Sequence, residues 1–520
     1  MDDHLVPLIE AEACRPLIEP AKRRFEPAAH DGLVPSAVET HSGIVFFVGD
    51  RAYKLKKPVD LGFLDFRKRE VREAVCHREV ELNRRLAPDV YLGVADVRDP
   101  SGDLCEHLVV MRRMPAERRL STLVTSGADV RDELCQVARL IASFHARAER
   151  SPAADRAAGA DALAERWAGN TARLHEFAGR FVAPEEVEVV NDLALRYLAG
   201  RHHTFERRIA ACSAVDGHGD LLADDIFCLD DGPRVLDCLE FDDALRRGDV
   251  LADVAFLAMD LERLGRPDLA DYFLTAYSEV AEDSWPASLA HHYIAYRAQV
   301  RATVTAIRAA QGHEPSAAEA ARLLALARRH LEAGRVHGVV VGGLPGTGKS
   351  TLAAGLAEAL GAVVLRSDEI RKELAGLPTD RPAPAPLRTG LYGPVSTAAA
   401  YHELLHRAQG ALGLGETVVL DASWTDELLR TDATHLAADS HSDLVELRCI
   451  APRDFAVARM QARTAHGGDP SDGDASIAAA MAATAAPWPT SIAIDTVPPT
   501  DEVLATALAL VRGAHRRSKR

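Results

Sequence analysis

Two stretches of this 520-residue chain concentrate side chains able to do chemistry. The first is HGDLLADDIF, His218 to Phe227, where one histidine and three aspartates sit among residues that otherwise read as core. It runs into IFCLDDGPRVLDCLEFDD, in which the β-type runs IFCL and RVLDCLEF are joined by a turn containing Asp230, Asp231 and Gly232. The chain therefore folds back and brings Asp237 beside the loop that opens at His218. Carboxylates that face each other repel unless a cation or a partner neutralises them, and Mg2+ is the economical occupant. The second stretch, GGLPGTGKST, fits G-x-x-x-x-G-K-[ST] from Gly343 to Ser350. Gly343, Leu344, Pro345, Gly346, Thr347 and Gly348 form a loop whose glycines let backbone N–H groups wrap phosphate oxygens, and Lys349 reaches the β- and γ-phosphates of a nucleotide. Ser350, followed by Thr351, ligates Mg2+ where a helix N-terminus favours anions.

The elements around these stretches read as two units. GIVFFV and RAYKLKK are strands around a Gly49-Asp50 turn, a charged helix runs from Arg67 to a stop at Pro88, and two further β runs flank Ser101-Gly102-Asp103. Period two puts Lys54 and Lys56 on one strand face. From Asp132 the pattern turns helical, with apolar residues three and four apart, and resumes after the acidic hairpin until Gly334 breaks it. GVVVGG, AVVLRSD, TVVLDAS and DLVELRCI then alternate with helices, the signature of a parallel sheet flanked by helices. The expectation is two domains, 1–334 and 335–520: an α+β unit followed by an α/β P-loop unit.

Composition narrows the function classes. With 61 Lys plus Arg against 77 Asp plus Glu, the formal charge of −16 repels a phosphate backbone and disfavours general nucleic-acid binding. The eight cysteines form no Cys-x-x-Cys pair, so neither zinc nor a disulfide framework is expected. The start MDDHLVPLIEAEA lacks a signal peptide's basic, apolar pattern, and no run reaches a membrane span, so a cytoplasmic, membrane-free protein is expected.

A protein-kinase-like site needs a lysine on a small sheet to hold the α- and β-phosphates and a helix glutamate to hold that lysine. Lys54 or Lys56 could be the lysine, and Glu79, in CHREVELNRRL, its partner. On HGDL, DCLEFDD, YKLKKPVDLGFLDF and DVAFLAMDLE, the chain resembles the aminoglycoside phosphotransferase-like family, and most closely the branch fused to a P-loop kinase. That likeness implies a bilobal fold using ATP and Mg2+. It implies that Asp220 is the catalytic base, that Asp237 is the principal Mg2+ ligand and that Asp249 supports the loop. Asp225 stands where the family has the second metal ligand as Asn, Leu222 removes a polar side chain from the loop, and no G-x-G-x-x-G lid lies between HSG and VGD.

The C-terminal unit resembles small P-loop kinases similar to polynucleotide kinase and to AAA-type kinases, on the loop itself, RSDEIRKEL, LYGPVS, VVLDAS and RDFAVARMQART. By that likeness Asp368 takes or orients the acceptor hydroxyl's proton and Arg371 holds the acceptor or its phosphate. Asp421 orders Mg2+ through water, and Arg459 and Arg463, one helical turn apart, close over the triphosphate. The reading is thus a two-site ATP-dependent phosphotransferase acting on hydroxyls of small, sugar- or aminocyclitol-like molecules. The competing readings are a single P-loop kinase regulated by a degenerate, ligand-sensing N-terminal domain, and a remodelling ATPase.

Overall fold

The computed structural model describes residues 36–39, 43–59, 65–379, 390–466 and 475–513. Five antiparallel strands, β1 (Ser36–Glu39), β2 (Gly43–Val48), β3 (Arg51–Lys56), β4 (Tyr91–Arg98) and β5 (Leu104–Arg112), form a sheet in the order β1-β2-β3-β5-β4. Val48 pairs with Arg51 across the expected two-residue turn, where Gly49 takes φ 60°. The helix Arg69–Asn83 lies on this sheet because Cys76 and Val80 bury against Tyr91, Val109 and Met111. Buried Glu79 is carried on the same helix.

The helical lobe follows, from Leu120 to Ala210 and again from Val250 to Ala333. Between its halves come β6 (Ala214–Asp216), the hairpin β7 (Ile226–Leu229) and β8 (Gly232–Val235), and β9 (Arg247–Asp249), which pairs back to β6. The second hairpin strand is shorter than RVLDCLEF suggests. It ends at Val235, and Asp237 takes the left-handed φ of 63°, which no strand continues through. This unit is α+β and has two lobes, the small sheet with its helix and the larger helical part.

The last helix of the lobe ends at Ala333, and β10 (His337–Gly342) begins a wholly parallel sheet. With β11 (Val363–Arg366), β12 (Val418–Asp421), β13 (Asp443–Ile450) and β14 (Ile492–Asp495), its order is β11-β12-β10-β13-β14. The short edge strand β14, like β1, gives too few alternating residues to be seen in sequence. Buried valines of β10 explain its central place, since parallel strands are covered on both faces.

The two units share one hydrophobic core. Leu324, Ala327 and Leu331 of the helical lobe belong to the same packed cluster as Val340, Leu420 and Trp424 on one face of the parallel sheet. Polar groups close the seam: Arg201 donates to Ser440 O at 2.5 Å, Ser288 Oγ to Gly415 O at 2.7 Å, and Asp443 accepts from Arg335 and pairs with Arg196. A β-carbon at Gly200 would lie 2.3 Å from Ser440 O, so this contact requires glycine. Among the described residues, no helix is long and apolar enough to cross a membrane.

Candidate active sites

At the first site the strand pleat turns both lysines of β3 toward one carboxylate. Lys54 Nζ donates to Glu79 Oε1 at 2.9 Å and also to Asp237 Oδ1. Lys56 Nζ lies 2.6 Å from Glu79 Oε2 and donates to Glu240 Oε1. Glu79 therefore holds both candidates, and of the two it is Lys54 that donates to Asp237. Burial opposes the charge on Lys54, yet Asp237 and Glu79 more than offset it and hold the ammonium well above its ordinary 10.5. Asp237 is likewise opposed by burial, but Lys54 and Lys56 bring its carboxyl down to about 2.

The backbone around Asp237 is pinned from several sides. Its N–H donates to the Tyr91 hydroxyl at 3.1 Å, and Cys238 N–H donates to Asn83 Oδ1 at 2.9 Å. Asn83 in turn donates to Glu79 O at 2.9 Å, so the helix that carries Glu79 also fixes the residue beside Asp237. Leu236 N–H reaches Asp225 O at 2.9 Å, and Leu239 N–H reaches His218 O at 3.1 Å, which joins the loop to the hairpin.

Asp220 follows Gly219, whose φ is 86° and whose missing β-carbon would sit 3.2 Å from both Arg246 Cα and Leu239 Cβ. The loop-bracing carboxylate is Asp253 rather than Asp249: it accepts from His218 N–H at 2.6 Å and Gly219 N–H at 2.8 Å, and lies 3.1 Å from His145 Nε2. Asp249 instead caps the helix Val250–Arg263 and is paired with Arg208 at 2.7 Å. The physical reason is one helical turn, which brings Asp253 under the loop while Asp249 remains in β9. Burial raises the Asp220 carboxyl; Arg301, 3.9 Å away, opposes this and Asp237 adds to it, leaving the group pushed up to about 6.

Burial, followed by the charges of Asp237, Asp220 and Asp224, pushes the Asp225 carboxyl well above its ordinary 3.8. In its protonated form it is neutral, with an O–H donor and a carbonyl acceptor, and in that respect is closer to an asparagine amide than to a carboxylate. No group of three or more His, Cys, Asp or Glu side chains among the described residues is placed to hold a metal. Two crowded carboxylates, one of them resisting ionisation, fit a Mg2+ held chiefly by phosphate oxygens and water.

At the second site three glycines take positive φ, 138° at Gly343, 78° at Gly346 and 84° at Gly348. A β-carbon on Gly346 would meet Ala456 O at 2.5 Å, so the helix Arg453–His466 packs directly on the loop. Lys349 donates to Leu344 O at 3.2 Å, and Thr347 Oγ1 to the same oxygen at 2.8 Å. Pro345, Gly346, Gly348, Lys349, Ser350 and Thr351 line a cavity of about 350 Å³ with Arg459 and Thr496.

Thr496, invisible to motif reading, ties this site together. Its Oγ1 donates to Thr347 O at 2.8 Å, while Arg459 donates to Thr496 Oγ1 at 3.1 Å and to its carbonyl at 2.7 Å. The side chain of Arg463 lies outside the described residues. Asp421 is buried at the end of β12, 3.3 Å from Arg366 Nε. Asp368 accepts from Arg371 at 2.7 Å, and the Arg371 guanidinium lies 4.7 Å from the Tyr392 ring centre. The helix here starts at Ser367, which puts Asp368 in its first turn.

Residues 339–488 match the AAA domain family, and the loop geometry within them makes this an AAA-type P-loop domain. The uncharacterized proteins Mb2027c of Mycobacterium bovis and Rv2004c of Mycobacterium tuberculosis are each 46% identical over 476 residues, 92% of this chain and 95% of theirs. The chain belongs to their family. At 92% of this chain the match spans both units. Among solved structures, a choline/ethanolamine kinase family protein from Mesorhizobium loti is similar at 16% identity, covering 61% of this chain and 98% of that one with a TM-score of 0.37. A putative aminoglycoside phosphotransferase from Ralstonia eutropha gives 12%, 62%, 98% and 0.36. A gluconokinase from Sinorhizobium meliloti gives 24%, 35%, 94% and 0.25.

Two stability predictions follow from the first site of this family member. Glu79→Gln leaves two buried ammonium groups short of a counter-charge, and urea unfolding is expected to show a loss of about 3–5 kcal/mol; a loss below ~1 kcal/mol would show that the pair is not electrostatically essential. For Asp225 the folded value lies above the unfolded one, so its carboxyl costs nothing below pH ~3.8 and stability is lost as pH rises toward the folded value. In Mg2+-free buffer Asp225→Asn should therefore raise Tm by about 2–4 °C at pH 8 and leave it nearly unchanged at pH 4.

Proposed function

We propose that this protein is a two-site ATP-dependent phosphotransferase, with residues 1–334 and 335–520 each moving a γ-phosphoryl group to a hydroxyl of a small molecule. The observation that carries the reading is the placement of Lys54 between Glu79 and Asp237, on the hairpin that is bonded to the Asp220 loop. A lysine so held is aimed at phosphate oxygens, and a carboxylate near 6 is basic enough to take a hydroxyl proton at neutral pH yet stays ionised there. The cavity beside Lys349 supports the same reading for the second unit.

At the first site the acceptor oxygen forms a bond to the γ-phosphorus as the bond from that phosphorus to the bridging oxygen of ADP breaks. The hydroxyl proton passes to Asp220. Lys54 holds the α- and β-phosphates, kept in place by Glu79; Lys56 and Glu240 complete the charge balance behind it. At the second site Asp368 has the proton-accepting role, Arg371 the acceptor-holding role, and Lys349, Arg459 and Arg463 the triphosphate. Mg2+ would be held by Asp237 and Asp225 at one site and by Ser350 and Asp421 at the other, and it supplies neutralisation of phosphate charge. Reliance on ATP suits a cytoplasmic setting.

Asp225 favours one competing reading, a first domain that senses a ligand and regulates the P-loop unit, because an extra carboxylate beside the triphosphate weakens its binding. Full-length Asp220→Asn and Lys349→Ala chains separate the two. The expectation is that each variant abolishes transfer to a different acceptor, with kcat falling at least about 100-fold. In the Lys349→Ala chain the remaining rate should drop as pH falls through about 6, because Asp220 must be ionised to accept the proton. If that chain binds no ATP in a Mg2+-dependent way by calorimetry, the sensor reading replaces the two-site one.

A further inference from the structure

Beside Asp220 the helical lobe encloses a cavity of about 390 Å³ that takes no part in holding Lys54, Glu79 or Asp237. Four arginines line it, Arg263, Arg301, Arg308 and Arg322, against two carboxylates, Asp224 and Glu319. An excess of guanidinium is out of keeping with a chain whose formal charge is −16. The carboxylates are already committed: Asp224 accepts from Ser121 Oγ at 2.5 Å, and Glu319 pairs with Arg322 and lies 3.6 Å from Arg263. Arg263 is further held by Asp260 at 2.6 Å.

The other two arginines are differently placed. Arg301 lies 3.9 Å from Asp220, so this wall of the cavity reaches the proposed base. Arg308 is exposed and makes no side-chain hydrogen bond or ion pair among the described residues. Both stand on the helix Ala287–Ala310, seven residues apart and hence on one face, separated by roughly 10 Å along its axis. A molecule in this cavity can therefore present a hydroxyl to Asp220 at one end and an anion to Arg308 at the other.

We propose that the acceptor of the first site carries an anionic group, a phosphate monoester or a carboxylate, seated on Arg308 and its neighbouring arginines. This inference rests on the reading of Asp220 as the base. A guanidinium matches either anion through paired N–H donors, whereas it repels an ammonium group, so a cationic aminocyclitol is the wrong charge for this cavity. The reaction is the one already written: the acceptor hydroxyl oxygen bonds to the γ-phosphorus, ADP leaves, the proton goes to Asp220, and the anionic group is unchanged.

The test uses the full-length chain and matched probes: glycerol, glycerol 3-phosphate and glycerate; glucose, glucose 6-phosphate and gluconate; and 2-deoxystreptamine. Calorimetric binding to the wild type and to Arg308→Ala and Arg308→Glu is compared with ADP formation by the Lys349→Ala chain. The expected result is that an anionic probe binds at least roughly tenfold more tightly than its neutral parent, and that Arg308→Glu removes this advantage while ATP affinity stays within about twofold. Which anion gains tells phosphate from carboxylate. Equal or tighter binding of the neutral or cationic probes, no effect of Arg308→Glu, or an equal loss of ATP affinity overturns the proposal. An anionic preference abolished by Arg308→Glu but without ADP formation from any probe supports the pocket and counts against phosphotransfer, so the two failures are distinguishable.

Discussion

A buried lysine charge that cannot stand alone organises the first unit. Lys54 is largely shielded from water, and a desolvated ammonium is costly unless carboxylates surround it. Here one carboxylate comes from the helix on the sheet and another from the hairpin of the helical lobe, 25 and 183 residues away in sequence. Satisfying that single charge brings three elements together. The pairing of Lys56 with Glu79 and Glu240 repeats the arrangement one pleat further along the strand. Such a network defines position more than it adds stability, because an apolar replacement of the same shape would also fill the space. What apolar packing would not supply is a cation aimed at the acidic loop.

The second unit reaches a comparable end by a different route, through backbone rather than charge. The glycines of the loop permit N–H groups to converge, and their missing β-carbons let Cys449, Ala456 and Arg459 press against the loop from outside. Thr496 then links the loop to the arginine above it. Both sites are thus held in shape by groups that approach them from other elements. The difference lies in the means: charged side chains meet at the first site, while at the second it is absent side chains that let the surroundings close on the loop.

Much of this was legible in sequence where spacing alone carries the information. The Gly49-Asp50 hairpin, the P-loop between a valine strand and a helix, and the shared face of Lys54 and Lys56 follow from period two and motif spacing, while Glu79 as their partner comes from the resemblance to a kinase-like site. What escaped was whatever depends on distant approach. Asp253 and Asp249 lie four residues apart and look alike in a string, and only the depth of the helix under the loop distinguishes them. Thr496 follows a four-residue edge strand with no pattern to mark it. The basic cavity draws Arg263, Arg301, Arg308 and Arg322 from separate turns of three helices, each of which reads as an ordinary solvated face on its own.

The seam between the units bears on why two sites share a chain. The helix Ala287–Ala310 carries Ser288, bonded to Gly415 across the seam, and also Arg297 and Arg301 beside the Asp220 loop, about 14 and 20 Å away along its axis. One rigid element therefore runs from the second unit to the first. Regulation between sites requires an element with two arrangements that each ligand biases differently. The described seam is instead a continuous apolar core, with Gly200 set too close to Ser440 to admit even a β-carbon and Arg201 buried against the same strand connection. Close packing of that kind resists sliding and is not continuously deformable. Its consequence is a relative orientation of the two units set by packing rather than by a movable hinge.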